Sequence, residues 1–199
     1  MSIIHRDDIG SKLGMWLFLF TELLLFGGLF LVYAAYRYAN PDDFRAAALE
    51  LDVTVGTINT IILLTSSLTV VLGITALQNN KKNISILFLL ITLGLGLVFL
   101  VNKFFEWSTK FQHGIFPRGP EMVNLPNGQV LYFGLYFTMT GLHAVHVIAG
   151  MIFLSVILIL IIREKINTDN HQKFENAGLY WHLVDIIWIF LFPLFYLIH

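Results

Sequence analysis

An all-α integral membrane protein, with five transmembrane helices in one bundle, is the fold class predicted by three observations. The chain of 199 residues is 57% apolar and only 13% charged, whereas a soluble domain is normally about a quarter charged. Its apolar residues fall into five runs, each long enough to cross ~30 Å of hydrocarbon as a helix of roughly 20 residues. The runs are continuous, without the polar–apolar alternation of a membrane β-barrel. Eighteen Phe, seven Tyr and four Trp suit lipid-facing and interfacial positions. Cysteine is absent, which excludes disulfides and thiolate metal ligands. The net charge of −1 includes no basic tract, so nucleic acid is not an expected partner.

The expected spans are 13–36, 55–77, 84–105, 130–162 and 178–198, all within a single membrane domain over 1–199. The first run is too long for a signal-peptide core, contains Glu22, and is followed by no convincing small-residue cleavage site, so it reads as a retained span. Residues 37–54 are charged, with Asn40-Pro41-Asp42 as a turn and helix start. The polar stretch 78–83 (QNNKKN) makes a tight turn and sets the second and third spans antiparallel. Residues 107–129 hold Pro117, Gly119, Pro120, Pro126, Asn127 and Gly128 and read as an irregular loop. Residues 163–177 are polar and mixed in charge.

Basic residues orient the bundle. Arg6, Lys12, Lys81, Lys82, Arg163, Lys165 and Lys173 share one side, and Arg37, Arg45, Lys103, Lys110 and Arg118 the other. The denser set is expected in the cytoplasm, which puts the N-terminus there and the C-terminus in the periplasm.

Ionisable groups inside such spans need a protein partner or a task, because hydrocarbon offers them no hydrogen bonds. Glu22 lies nine residues past Leu13, or ~14 Å along a helix, near the bilayer midplane. It reads either as a helix-packing hydrogen bond or as a carboxyl on a proton path or in contact with lipid. His143 and His146 share a face of the fourth span. Two histidines underfill a four-ligand zinc site and cannot flank a haem plane, so interhelical hydrogen bonding is the better reading. Gly141, Ala144, Ala149 and Gly150 allow the close helix approach this needs.

His182 and Asp185 repeat the i, i+3 spacing near the cytoplasmic end of the fifth span. The carboxylate is expected to accept the imidazole N–H and keep both groups paired. Glu106 reads as a headgroup-level pair with Lys103, beside Trp107. Asn59, Thr60, Thr65, Ser66, Ser67 and Thr69 form a polar stripe on the second span, of the kind used for helix association.

The run YWHLVDIIWIFLFPLFYLI, Tyr180 to Ile198, resembles the C-terminal signature of subunit III of the haem-copper oxidases, the cytochrome c oxidase family. TGLHAVHVIAG (Thr140 to Gly150) is similar to that family's penultimate helix, with two histidines three apart. FTELLLFGGLF (Phe20 to Phe30) is similar to the helix holding its intramembrane glutamate, which is Glu22 here. NTIILLTSSLTV (Asn59 to Val70) and FFEW (Phe104 to Trp107) match the two helices between. Many members have seven spans; this chain resembles the five-span bacterial form and lacks the two N-terminal helices, which leaves one wall of the family's lipid cleft to another subunit or to bilayer lipid.

The resemblance implies an accessory subunit without haem or copper of its own, in a bacterial inner membrane. In the family, subunit I holds the haems and the copper-containing oxygen site, and subunit II or a quinol site delivers electrons. Subunit III packs on subunit I, binds phospholipid, and supports proton uptake and endurance during turnover, and the assembly can join a larger respiratory supercomplex. Glu22 is then a midplane carboxyl for lipid or the proton-uptake region, His182 and Asp185 clamp the fifth helix, and His143 and His146 tie the fourth to its neighbours. Quinol oxidase subunit III and the accessory protein of nitric oxide reductase share the pattern. A small proton-coupled transporter relaying through Glu22, His146 and Asp185 is the alternative from another class, against which the lack of inverted repeats counts.

Overall fold

The computed structural model describes residues 8–117, 119–168 and 170–198. Arg6 and Arg118, counted in the charge asymmetry, lie outside them. Six α-helices and a short 3-10 turn (Glu121–Val123) account for nearly all the described residues, and no strand occurs among them. The helices are α1 (Asp8–Ala39), α2 (Pro41–Ala48), α3 (Val53–Gln78), α4 (Lys82–Gln112), α5 (Asn127–Ile162) and α6 (Gln172–Tyr196). All except α2 are long and apolar enough to cross a membrane.

Local sequence sets the helix ends. Asp52 caps α3 by accepting the N–H groups of Thr54 at 2.8 Å and Val55 at 3.4 Å. Asn80, with φ 59°, ends α3 in a left-handed turn that returns Lys81 N–H to Ala76 C=O at 2.8 Å and Asn80 N–H to Leu77 C=O at 2.9 Å. The same motif ends α5 at Glu164 and α4 at Gly114. At Gly114 the φ of 72° is one that a residue with a Cβ adopts at a cost. Because α4 runs on to Gln112, the irregular loop expected over 107–129 is shorter, and its middle is the 3-10 turn. No helix-breaking residue stands between Phe105 and Gln112, so nothing local stops α4 where its apolar run ends.

Helices α3, α4, α5 and α6 each pack on the next, and α6 returns to α3, so the four close a ring. Helix α1 lies outside it, against α5 and α6. Burial follows this plan: 56% of the most apolar window of α6 is buried against 11% for α1. The outer surface is Leu, Ile, Val and Phe, as for a bundle solvated by lipid. Its interior is aromatic, with Trp181, Trp188, Tyr33, Tyr132, Tyr136 and Tyr196 among the largest fully buried side chains. Gly96 and Gly150 make room for Trp181, since a Cβ on either would sit 3.0 Å and 2.8 Å from its ring. Gly141 does the same for Trp107, at 3.1 Å.

Helix α2 lies across the end of the bundle where α5 begins. Phe44 is buried edge-on against Tyr33 and Tyr132, and Asp43 Oδ2 accepts the N–H of Gly128 in the first turn of α5 at 3.2 Å. At the same end, the C-terminal carbonyls of α6 lack helical partners. Tyr33 donates to Leu194 C=O and Tyr132 to Phe195 C=O at 2.6 Å, so α1 and α5 complete that helix terminus.

Candidate functional site: three polar clusters inside the bundle

The intramembrane polar residues resolve into three clusters, each joining different helices. The first joins α1 to α5. Glu22 Oε2 and His146 Nε2 are 2.8 Å apart, and His146 Nδ1 is 2.8 Å from Leu142 C=O. A carbonyl only accepts, so Nδ1 carries a hydrogen. Nε2 then either accepts the proton of a neutral Glu22 carboxyl or, protonated, donates to its carboxylate. One proton is shared between the two atoms, and the pair is uncharged overall in both forms. That is how a carboxyl is tolerated at this depth. The side chains are 15% and 13% exposed, so the pair sits just inside the lipid-facing surface. Phe26 packs edge-on against the imidazole.

His143 parts company with His146. Three residues along a helix turn the side chain by ~60°, and His143 points into the ring, fully buried between Phe99 of α4 and Trp188 of α6. Neither of its ring nitrogens has a hydrogen-bond partner among the described residues. The expected interhelical hydrogen bond is therefore made by His146 alone, and His143 joins the helices as an aromatic ring.

The second cluster lies among α4, α5 and α6. Lys103 Nζ donates to Glu106 Oε1 at 3.1 Å, to Tyr136 Oη at 3.0 Å and to Tyr196 Oη at 2.9 Å. Both tyrosines donate to the same Glu106 oxygen. The side chains of Lys103 and Glu106 are only 5% and 8% exposed. The expected pair forms, but between helices rather than at the surface, because Tyr136 and Tyr196 replace water as hydrogen-bond partners and the rings of Tyr136, Trp188 and Tyr196 surround the ammonium. Tyr136 and Tyr196 were missed by sequence reasoning. The available signal was a Lys and a Glu one turn apart inside a helix that continues past them.

The third runs along the seam between α3 and α6, with α4 behind. Ser67 Oγ lies 2.6 Å from His182 Nδ1. Trp181 Nε1 donates to Ser66 Oγ at 3.1 Å and Trp188 Nε1 to Thr60 Oγ1 at 3.0 Å. Asn102 of α4 donates to Asn59 Oδ1 at 2.8 Å, and Thr92 meets Thr69 at 2.7 Å. Thr65 instead bonds its own helix, at Ile61 C=O. The expected direct His182–Asp185 pair does not form: His182 Nδ1 meets Ser67 Oγ, and buried Asp185 lies within reach of that same hydroxyl. The ~60° between positions i and i+3 again separates the two side chains. Because α6 starts at Gln172 rather than 178, His182 lies ~15 Å into the helix, where it meets Ser67 near the middle of α3.

Among the described residues no three His, Asp or Glu side chains come close enough to hold a metal ion. The clusters can share protons and lock helices.

Comparison with known proteins adds identity to this geometry. The family model described as cytochrome c oxidase subunit III matches residues 5–199. Cytochrome c oxidase subunit 3 of Bacillus subtilis is 35% identical over 93% of this chain and 84% of its own length. The probable quinol oxidase subunit 3 of Staphylococcus saprophyticus is 30% identical over 98% and 91%. In Aeropyrum pernix a haem-copper oxidase subunit I+III is 32% identical over 97% of this chain, which corresponds to 23% of that longer protein.

Proposed function

This chain belongs to the cytochrome c oxidase subunit III family and is an accessory subunit of a haem-copper oxidase, and we propose that it packs on subunit I in a bacterial cytoplasmic membrane and sustains proton uptake during turnover. It holds no haem or copper in this reading; subunit I supplies the oxygen-reducing centre, and subunit II or a quinol site the electrons. The N-terminus lies in the cytoplasm and the C-terminus in the periplasm. Phospholipid coats the exposed apolar faces, that of α1 above all.

The observation that carries the proton role is the 2.8 Å contact between Glu22 Oε2 and His146 Nε2, which is not sealed from the α1–α5 surface. A pair that moves its proton between two atoms 2.8 Å apart without acquiring net charge holds that proton cheaply in a low-dielectric medium.

The test is purification of the assembly through a tag on this chain in mild detergent, followed by a reduced-minus-oxidised spectrum. Co-eluting larger subunits with haem bands support the reading, and the band positions and donor assays identify haem type and electron donor. A colourless eluate under conditions that retain other membrane complexes refutes it. Glu22→Gln in the intact oxidase then tests the proton role. Faster inactivation during turnover is expected; unchanged turnover, pumping and inactivation would remove Glu22 from the proposal.

A further inference from the structure

We infer that the face formed by α3 and α6 around His182 is the surface covered by a transmembrane helix of the haem-bearing subunit, which brings a hydrogen-bonding side chain to His182 Nε2. This builds on the subunit III reading above and specifies where the contact lies.

His182 is partly exposed in the apolar helix α6, its Nδ1 is taken by Ser67, and its Nε2 has no partner among the described residues. A ring nitrogen facing hydrocarbon forfeits a hydrogen bond that lipid tails cannot return. The hydroxyls elsewhere on the outer surface behave differently: Thr21, Thr65 and Thr138 each bond a carbonyl of their own helix. An imidazole on a helix face cannot satisfy Nε2 that way while Nδ1 is held by Ser67.

Helical periodicity extends the surface. Leu64, Ser67 and Val71 fall on one side of α3, and His182, Ile186 and Ile189 on one side of α6. The Ser67–His182 contact zips these stripes together. The four aliphatic side chains are 41–48% exposed, so the stripes form a continuous apolar strip with one polar handle at its centre. Helices associate in lipid through packing plus isolated interhelical hydrogen bonds of this kind. The occupant is set by the Aeropyrum pernix relative, whose subunit I and subunit III sequences are joined in one chain.

A photo-crosslinking residue is placed at Ile186 or Val71 in the tagged chain, within the intact assembly. Matched controls occupy Val98 on α4 and Ile148 on α5, which are 45% and 47% exposed on the other side of the ring. Crosslinks from Ile186 and Val71 to the large haem-bearing subunit, with none from the controls, are expected. His182→Ala should lower haem recovered per tagged chain by about five-fold in a stringent detergent, with His182→Gln restoring it. Crosslinks to lipid or to a second copy of this chain, or to the haem subunit only from Val98 and Ile148, overturn the assignment. These results leave the subunit III reading intact, whereas a wild-type pull-down free of haem defeats that reading itself. The crosslinks are read with His182 in place, so a poorly folding His182→Ala does not obscure them.

Discussion

Glu22 and His146 face each other at 2.8 Å across the α1–α5 interface, and the Leu142 carbonyl fixes which imidazole nitrogen meets the carboxyl. This contact ties the lightly packed first helix to the ring at mid-depth, and it makes the two residues energetically one unit. Separate loss of either leaves the other as an unpaired polar group in hydrocarbon.

Glu22→Ala is accordingly expected to destabilise the chain by about 1–3 kcal/mol, the cost of a buried group left without its partner. Glu22→Gln should cost less, because an amide N–H donates to Nε2 in place of the carboxyl proton. A double-mutant cycle with His146→Ala, read by SDS titration of helicity in mixed micelles, should return a coupling that is absent between Glu22 and Lys103.

At Lys103 the expectation is larger. Removing the ammonium leaves Glu106 enclosed by Tyr136 and Tyr196 without its cation, so Lys103→Met should cost roughly 3–5 kcal/mol. Lys103→Met combined with Glu106→Leu should recover much of that loss, since a buried ion pair is worth little more than apolar packing of similar volume. A double variant as unstable as the single one would mean that the tyrosines depend on the pair for their placement.

Trp181 fits between α4 and α5 because Gly96 and Gly150 present no Cβ to it. Gly150→Val should overpack this contact and cost about 1–3 kcal/mol. Near-ultraviolet circular dichroism of the tryptophan bands should change with it, while far-ultraviolet helicity stays.

Outside the membrane spans, the Glu164 carboxylate at the end of α5 accepts a hydrogen bond from the Lys82 ammonium at 2.8 Å, which holds it below the usual glutamate range. A depressed folded value contributes stability above the unfolded pKa of about 4.3 and loses it as pH falls through the folded one. The stability difference between wild type and Glu164→Gln should therefore be present at neutral pH and vanish under acid. The effect will be small, because the pair is solvent-exposed.

Each long helix is announced by its own apolar run, and several ends by a local signal: Asp52 before α3, Asn80 after it, Pro41 opening α2. The family is equally legible, since the segments around Glu22, His143, His146 and Tyr180–Ile198 lie in order along one chain. Partnerships were not. His182 and Asp185, adjacent on a helical wheel, separate in space, while His146 finds Glu22 across a sequence distance of 124 residues.

What the sequence by itself determined is therefore what depends on near neighbours: membrane residence, the five long apolar helices, and the residue types placed within them. Only the tertiary structure decided which of those residues meet, that Glu106 is buried with Lys103 under two tyrosines, and that His182 keeps an open nitrogen. The physical reason is geometric. Hydrophobicity and capping act within one or two turns, whereas the direction of a side chain matters only against the neighbouring helix, and a ~60° difference around the helix axis is enough to send two adjacent histidines to different partners.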